Sequence, residues 1–140
     1  MEIVYPDLLN YIRVYDDILG KQTLQTFLKI CKENFDYKEA GITHSKKEPN
    51  LVNKQIRDVK TWSLGNISEK SRTNVFWANY FSFKFNESIK RYNEDIGNIF
   101  SNCSITDIQV LKYEKNGKYN FHVDHGALVP RTISCIYFVN

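Results

Sequence analysis

Long apolar runs are missing from this 140-residue chain. No stretch approaches the roughly eighteen apolar residues of a membrane-spanning helix, and Met-Glu-Ile-Val-Tyr-Pro-Asp at the start lacks the basic-then-apolar pattern of a secretion signal. Only three cysteines occur, Cys31, Cys103 and Cys135, far apart and without a Cys-x-x-Cys pair. That disfavours a cysteine metal cluster, and the odd count suits reduced thiols in a cytoplasmic protein. Glycine is sparse at six residues and forms no phosphate-cradling loop, so the common nucleotide enzymes are disfavoured. No internal repeat or low-complexity tract occurs. Charge of one sign is also scarce: the net charge is +3, with Lys and Arg scattered among acids. Some positive excess between Lys21 and Lys60 does not form the stripe that nucleic acid requires. The expectation is one domain over residues 1–140, with no nucleic acid and no membrane partner, long enough to bury about two-thirds of its unfolded surface.

The residues that are present divide the chain in two. Residues 1–104 read as a mainly helical support. Tyr11-Ile-Arg-Val-Tyr15 suggests a short strand, and Leu24, Phe27, Leu28 and Cys31 recur at helical spacing from about Lys21 to Asn34. Residues 35–53 are polar and carry Gly41 and Pro49, which suggests irregular chain; His44 lies there with Lys46 and Lys47 beside it, cations that disfavour metal binding. Gln55 to Leu64 alternates like a strand. From Ser68 to Phe100 the apolar residues Phe76, Tyr80, Phe83, Ile89, Tyr92, Ile96 and Phe100 follow steps of mostly three and four, predicting one or two helices that bury this stripe against a sheet.

Residues 105–140 read as a β segment. Ile105 to Tyr113 is rich in β-branched and aliphatic residues, and Asn116-Gly117 favours a two-residue hairpin turn. Tyr119 to Asp124 then forms the second strand, Gly126 to Pro130 a loop, and Arg131 to Val139 a third strand. Alternate side chains on a strand share a face. His122 and Asp124 therefore point the same way, about 7 Å apart at the backbone, and offer one nitrogen and one oxygen to a single metal ion. Taken alone, His122 also fits a hydrogen-bonded histidine at a strand end, Tyr113 and Tyr119 fit ordinary strand aromatics, and Arg131 fits a solvated charge.

With its flanks, the pattern resembles the prolyl 4-hydroxylase-like branch of the 2-oxoglutarate- and Fe(II)-dependent oxygenases. The matching elements are Leu111-Lys-Tyr113, Asn116-Gly117, Tyr119, His122-Val-Asp124, Arg131 and Phe138-Val-Asn140, over roughly thirty residues. The resemblance implies an α+β fold, with helices packed on a double-stranded β-helix (jelly-roll) core that this chain supplies only in part. It implies Fe(II) held by His122 and Asp124, 2-oxoglutarate contacted by Tyr113, a substrate contact at Arg131, and ascorbate as an accessory reductant. The implied reaction couples oxidative decarboxylation of 2-oxoglutarate to hydroxylation of a protein or peptide substrate, with a prolyl residue the family expectation. Phe138 departs from the pattern, because many relatives carry a tyrosine there whose hydroxyl touches the cosubstrate. The family's second histidine and its basic 2-oxoglutarate anchor would both lie past Asn140, so the expectation is a fragment of a longer protein or a shortened relative without catalysis. Such a relative could persist as a binding module, and its last strand, with unpaired backbone, could self-associate. A rival reading takes Asn120-Phe-His122-Val-Asp124-His125 as a variant of the metallo-β-lactamase-fold signature, with Asn120 replacing a zinc ligand.

Overall fold

The computed structural model describes residues 7–33, 37–42, 51–65, 71–122, 124 and 131–139. His44, Pro49, His125, Asn140 and the expected loop from Gly126 to Pro130 lie outside them. Among the described residues the architecture is α+β: two α-helices, one short 3-10 helix and two small antiparallel sheets, neither of them closed. None of the described helices is long and apolar enough to cross a membrane.

Helix α1 spans Lys21–Glu33 and buries Phe27, with Leu24, Ile30 and Cys31 flanking the same core. Helix α2 spans Arg72–Asp95 as one unbroken element. It starts where Ser71 Oγ accepts the Asn74 N–H at 3.1 Å, a serine N-cap. It stops at Ile96, where Gly97 and Asn98 take φ values of 90° and 58°. A left-handed glycine after the last turn is the usual helix stop. Asn93 seals the exit by exchanging two side-chain hydrogen bonds with the Phe100 backbone, at 2.9 and 3.0 Å.

The buried stripe of α2 is not the expected one. Trp77 and Phe81 are buried, with Tyr80 and Phe85 partly so, whereas Phe76 and Phe83 stay 59% and 58% exposed. At about 100° per residue, Phe76 and Phe83 lie roughly 140–160° from the centre of the 77/81/85 line, nearly on the opposite side of the helix. The helix carries aromatics on both sides, and packing chose between them. Phe27 of α1 decides it, with ring centroids 4.8 Å from Trp77 and 4.7 Å from Phe81. Each such ring removes on the order of 150–250 Å² from water. Trp62 and Leu64 from the sheet side, and Leu19 from just before α1, complete the cluster.

The N-terminal segment corrects a second expectation. Leu8–Tyr11 is a single 3-10 turn capped by Asp7, and no strand follows over residues 12–15. Side-chain contacts hold this segment on α2: Tyr92 Oη donates to Tyr11 O at 2.9 Å, and Tyr15 Oη to Asp95 at 2.6 Å. The Arg91 guanidinium lies over the Tyr15 ring.

The sheets form around residues 57–63, as their alternation predicts. Strand β1 is Lys38–Glu39, β2 is Arg57–Asp58, β3 is Lys60–Ser63, β4 is Gln109–Lys112 and β5 is Lys118–Tyr119. Order β1-β3-β4 makes one sheet, and β2 pairs with β5 in the other. The register corrects the predicted hairpin. Lys112 faces Lys60 and Lys118 faces Asp58, so β4 and β5 both run antiparallel to the same stretch and are not paired with each other. One residue, Val59, separates the two partners on one side; five residues, 113–117, loop out on the other. Asn116-Gly117 therefore makes an excursion from a continuing strand and does not reverse the chain.

The reason is visible at the turn. Asn116 has φ 67° but Gly117 is not left-handed, whereas the predicted tight hairpin turn needs positive φ at both central positions. Gly117 is required for space, since a Cβ there would sit 2.9 Å from Asp58 O and 3.0 Å from Glu114 O. The third predicted strand is also corrected: residues 131–139 join no sheet among the described residues. Tyr137 and Val139 nevertheless pack against the core, while Ile136 and Phe138 face outward.

Candidate functional site

His122 and Asp124 follow β5 but are not on it, because the ladder ends at Tyr119. The chain stays attached to the segment before β2 for one more residue: Asn120 N–H donates to Ile56 O at 2.9 Å, and its side-chain amide to Gln55 O at 3.3 Å. That amide is engaged in holding backbone, a structural role that gives no support to Asn120 as the stand-in for a zinc ligand.

Three contacts fix the His122 ring. It stacks on Tyr119 with centroids 3.7 Å apart and planes 18° from parallel. Tyr119 itself pairs across the ladder with Arg57, whose guanidinium lies over the tyrosine ring, 4.6 Å from its centre. His122 Nδ1 lies 2.9 Å from Asn120 O, and Nε2 lies 3.2 Å from Asp124 Oδ1. A carbonyl oxygen can only accept, so Nδ1 carries a hydrogen. In the neutral ring Nε2 would then present a lone pair to a carboxylate oxygen, and two acceptors would face each other. A hydrogen or a metal ion between the two atoms would satisfy both.

The spacing suits the second possibility as well as the first. Two donors at about 2.1 Å from a metal and at right angles lie about 3.0 Å apart. The other oxygen, Asp124 Oδ2, accepts from Ser134 Oγ at 2.5 Å. This bond, aided by the charges of His122 and Arg131, holds the Asp124 carboxyl below its usual range against the opposing effect of partial burial. Sequence reading passed over Ser134; its only signal was the alternation from Arg131, which places it on the side opposite Tyr137 and Val139.

The remaining predicted residues are less closely gathered. Arg131 is half-buried and acts on Asp124 electrostatically. Tyr113 lies at the start of the 113–117 excursion, about half exposed, and no hydrogen bond or ring contact among the described residues joins it to His122 or Asp124. No third His, Cys, Asp or Glu among the described residues completes a metal-ligating group. The pair is open to solvent, with side chains 38% and 41% exposed, and Phe121 beside it is fully exposed.

Two clefts lie elsewhere. One, of about 270 Å³, is lined by Glu39, Lys54, Asp58, Lys60, Lys112 and Glu114. Its charges satisfy one another, Lys54 with Glu39 at 3.1 Å and Lys112 with Glu114 at 3.3 Å. The other, of about 300 Å³, is lined by Tyr15, Asp16, Asp17, Lys84, Glu87 and Arg91, where the N-terminal segment lies beside α2. The chain matches no protein-family model, no curated protein and no solved structure.

Proposed function

We propose that the chain carries part of the metal site of a 2-oxoglutarate- and Fe(II)-dependent oxygenase of the prolyl 4-hydroxylase-like kind, built on a jelly-roll-related core and acting on a peptide substrate. One observation carries the reading: His122 Nε2 and Asp124 Oδ1 converge to 3.2 Å while their other polar atoms are each taken by a different partner. This leaves one nitrogen and one oxygen for a cation, the donor mix that a non-haem iron site draws on. The residues described fit two ligand positions of such a site. A bound iron would supply oxygen activation and the oxidative decarboxylation of 2-oxoglutarate.

The chain's own residues would position and tune. Tyr119 and the Asn120 carbonyl set the imidazole plane and tautomer, and Asp124 supplies the negative charge that favours a dication. The Ser134 hydrogen bond, aided by the charges of His122 and Arg131, favours the ionised carboxylate. Phe121, Ile136 and Phe138 offer apolar surface to a peptide. Tyr113 would serve the cosubstrate only if the 113–117 excursion turns it toward the pair.

The reading is tested by anaerobic titration with Fe(II) and 2-oxoglutarate, following the weak visible charge-transfer band of the chelate. The band is expected with the unaltered chain and is expected to vanish in His122→Ala and Asp124→Ala. A folded, unaltered protein that gives no band overturns the binding of Fe(II) and 2-oxoglutarate by this chain itself. The 3.2 Å contact is then read as a hydrogen-bonded His–Asp pair with a structural role.

A further inference from the structure

A carboxylate can give a metal one oxygen or two. Bidentate carboxylates suit large, oxygen-seeking ions such as Ca²⁺, bound by six to eight oxygens at about 2.3–2.6 Å. First-row transition ions bind one nitrogen and one oxygen of a mixed site at about 2.0–2.2 Å. At Asp124 the two oxygens are already distinguished. Oδ1 faces His122 Nε2, and Oδ2 holds the Ser134 hydroxyl at 2.5 Å. The hydroxyl has a single proton, and Oδ2 is its acceptor. Ser134 is not on a loose tail: three and five residues on, Tyr137 and Val139 anchor the same extended segment in the core. Residue 124 and residue 134 come from separate segments, and this bond ties them together.

We propose that Ser134 is a positioning residue that holds Asp124 monodentate, presenting Oδ1 alone to a cation shared with His122, and so selects a transition-metal dication over Ca²⁺. The inference rests on the metal reading given under Proposed function. Without the hydroxyl, Asp124 is free to rotate, the Oδ1–Nε2 alignment is lost and Oδ2 becomes available as a second ligand. Outer-shell partners of this type commonly contribute about 10- to 100-fold in metal affinity.

The test is titration of the full chain with Co(II), followed by its visible absorption, with Ca(II) as competitor, in the unaltered protein, Ser134→Ala and Ser134→Thr. Circular dichroism confirms that each is folded; Ser134 is exposed, and its loss removes no core packing. The expected result is at least a tenfold loss of Co(II) affinity in Ser134→Ala, displacement of Co(II) from that variant by less Ca(II), and recovery in Ser134→Thr, which keeps the hydroxyl. Co(II) affinity in Ser134→Ala equal to that of the unaltered chain overturns the role of Ser134 and leaves the metal reading standing. So does a Ser134→Thr variant as weak as Ser134→Ala. An unaltered chain that binds no Co(II) overturns the metal reading itself, and this inference with it.

Discussion

The Phe27–Trp62–Trp77–Phe81 cluster and the His122–Asp124 rim are built by different forces. In the cluster, rings from two helices and a strand exclude water, and no single polar contact decides the arrangement. At the rim, more than a third of each side chain is exposed, and position depends on a few directed contacts with Tyr119, Asn120 and Ser134. Burial is additive and tolerant of direction, whereas hydrogen bonds are directional and individually modest. Substitutions in the cluster should therefore cost stability, and those at the rim should cost geometry.

The largest effect separating the two regions is expected from Trp77→Ala. Truncating a buried tryptophan removes its transfer energy and leaves a cavity, about 3–5 kcal/mol together, a large share of the stability of a domain this size. Urea denaturation followed by circular dichroism measures it. A loss below about 1 kcal/mol would show that α2 does not bury this face.

Gly117→Ala joins the regions and is expected to come next. The new methyl would press on the Asp58 and Glu114 carbonyls, both backbone atoms. An overpacking cost of about 1–3 kcal/mol is expected, together with weaker Co(II) binding, because β5 carries the chain into His122. Unchanged stability would mean that the excursion is not seated against β2 as described.

A pH effect sharpens the contrast from the N-terminal side. The Tyr15 hydroxyl is pushed up to about 12, first by desolvation, then by its hydrogen bond to Asp95 and that group's charge, against the lowering effect of Arg91 and Arg13. The folded state thus favours the neutral phenol more than the unfolded state does. Its contribution is fully present below the unfolded value near 10 and is lost as pH rises toward 12. Tyr15→Phe should flatten the fall in stability over that window, leaving the slope below pH 9 unchanged. An identical alkaline slope in the variant would contradict the Tyr15–Asp95 bond.

The smallest effect is expected from Phe138→Ser. Phe138 is 79% exposed, and a surface change away from special features stays within about 0.5 kcal/mol. A larger loss of stability in thermal unfolding would show that the outer side of residues 131–139 is covered in solution.

Parts of this structure were legible in the chain. Of the expected α1 face, Leu24, Phe27 and Cys31 pack in or against the core; Leu28 is not among the core-packed residues, and Ile30, which the spacing did not single out, is. The α2 face was not legible, because Phe76, Trp77, Tyr80, Phe81 and Phe83 offer two stripes, and only contact with Phe27 selects one. Asn116-Gly117 correctly marked a turn, but a turn signal does not say whether the chain reverses. That was settled by residues 57–63, which offered the following residues a continuing ladder. Candidate ligands were legible as His-x-Asp, yet strand periodicity gave the wrong reason for their convergence. They meet past the end of β5, held by Tyr119, Asn120 and Ser134.

By itself, then, the sequence determined a helix from about Lys21, helical character between Ser68 and Phe100, strand-like alternation from Gln55 to Leu64 and the His-x-Asp spacing, since each is set by local composition and spacing. The tertiary structure alone decided which aromatics are buried, that β4 and β5 share one partner stretch, and that Ser134 reaches Asp124. Each of these depends on groups distant in the chain competing for the same neighbour, and local periodicity holds no information about the winner.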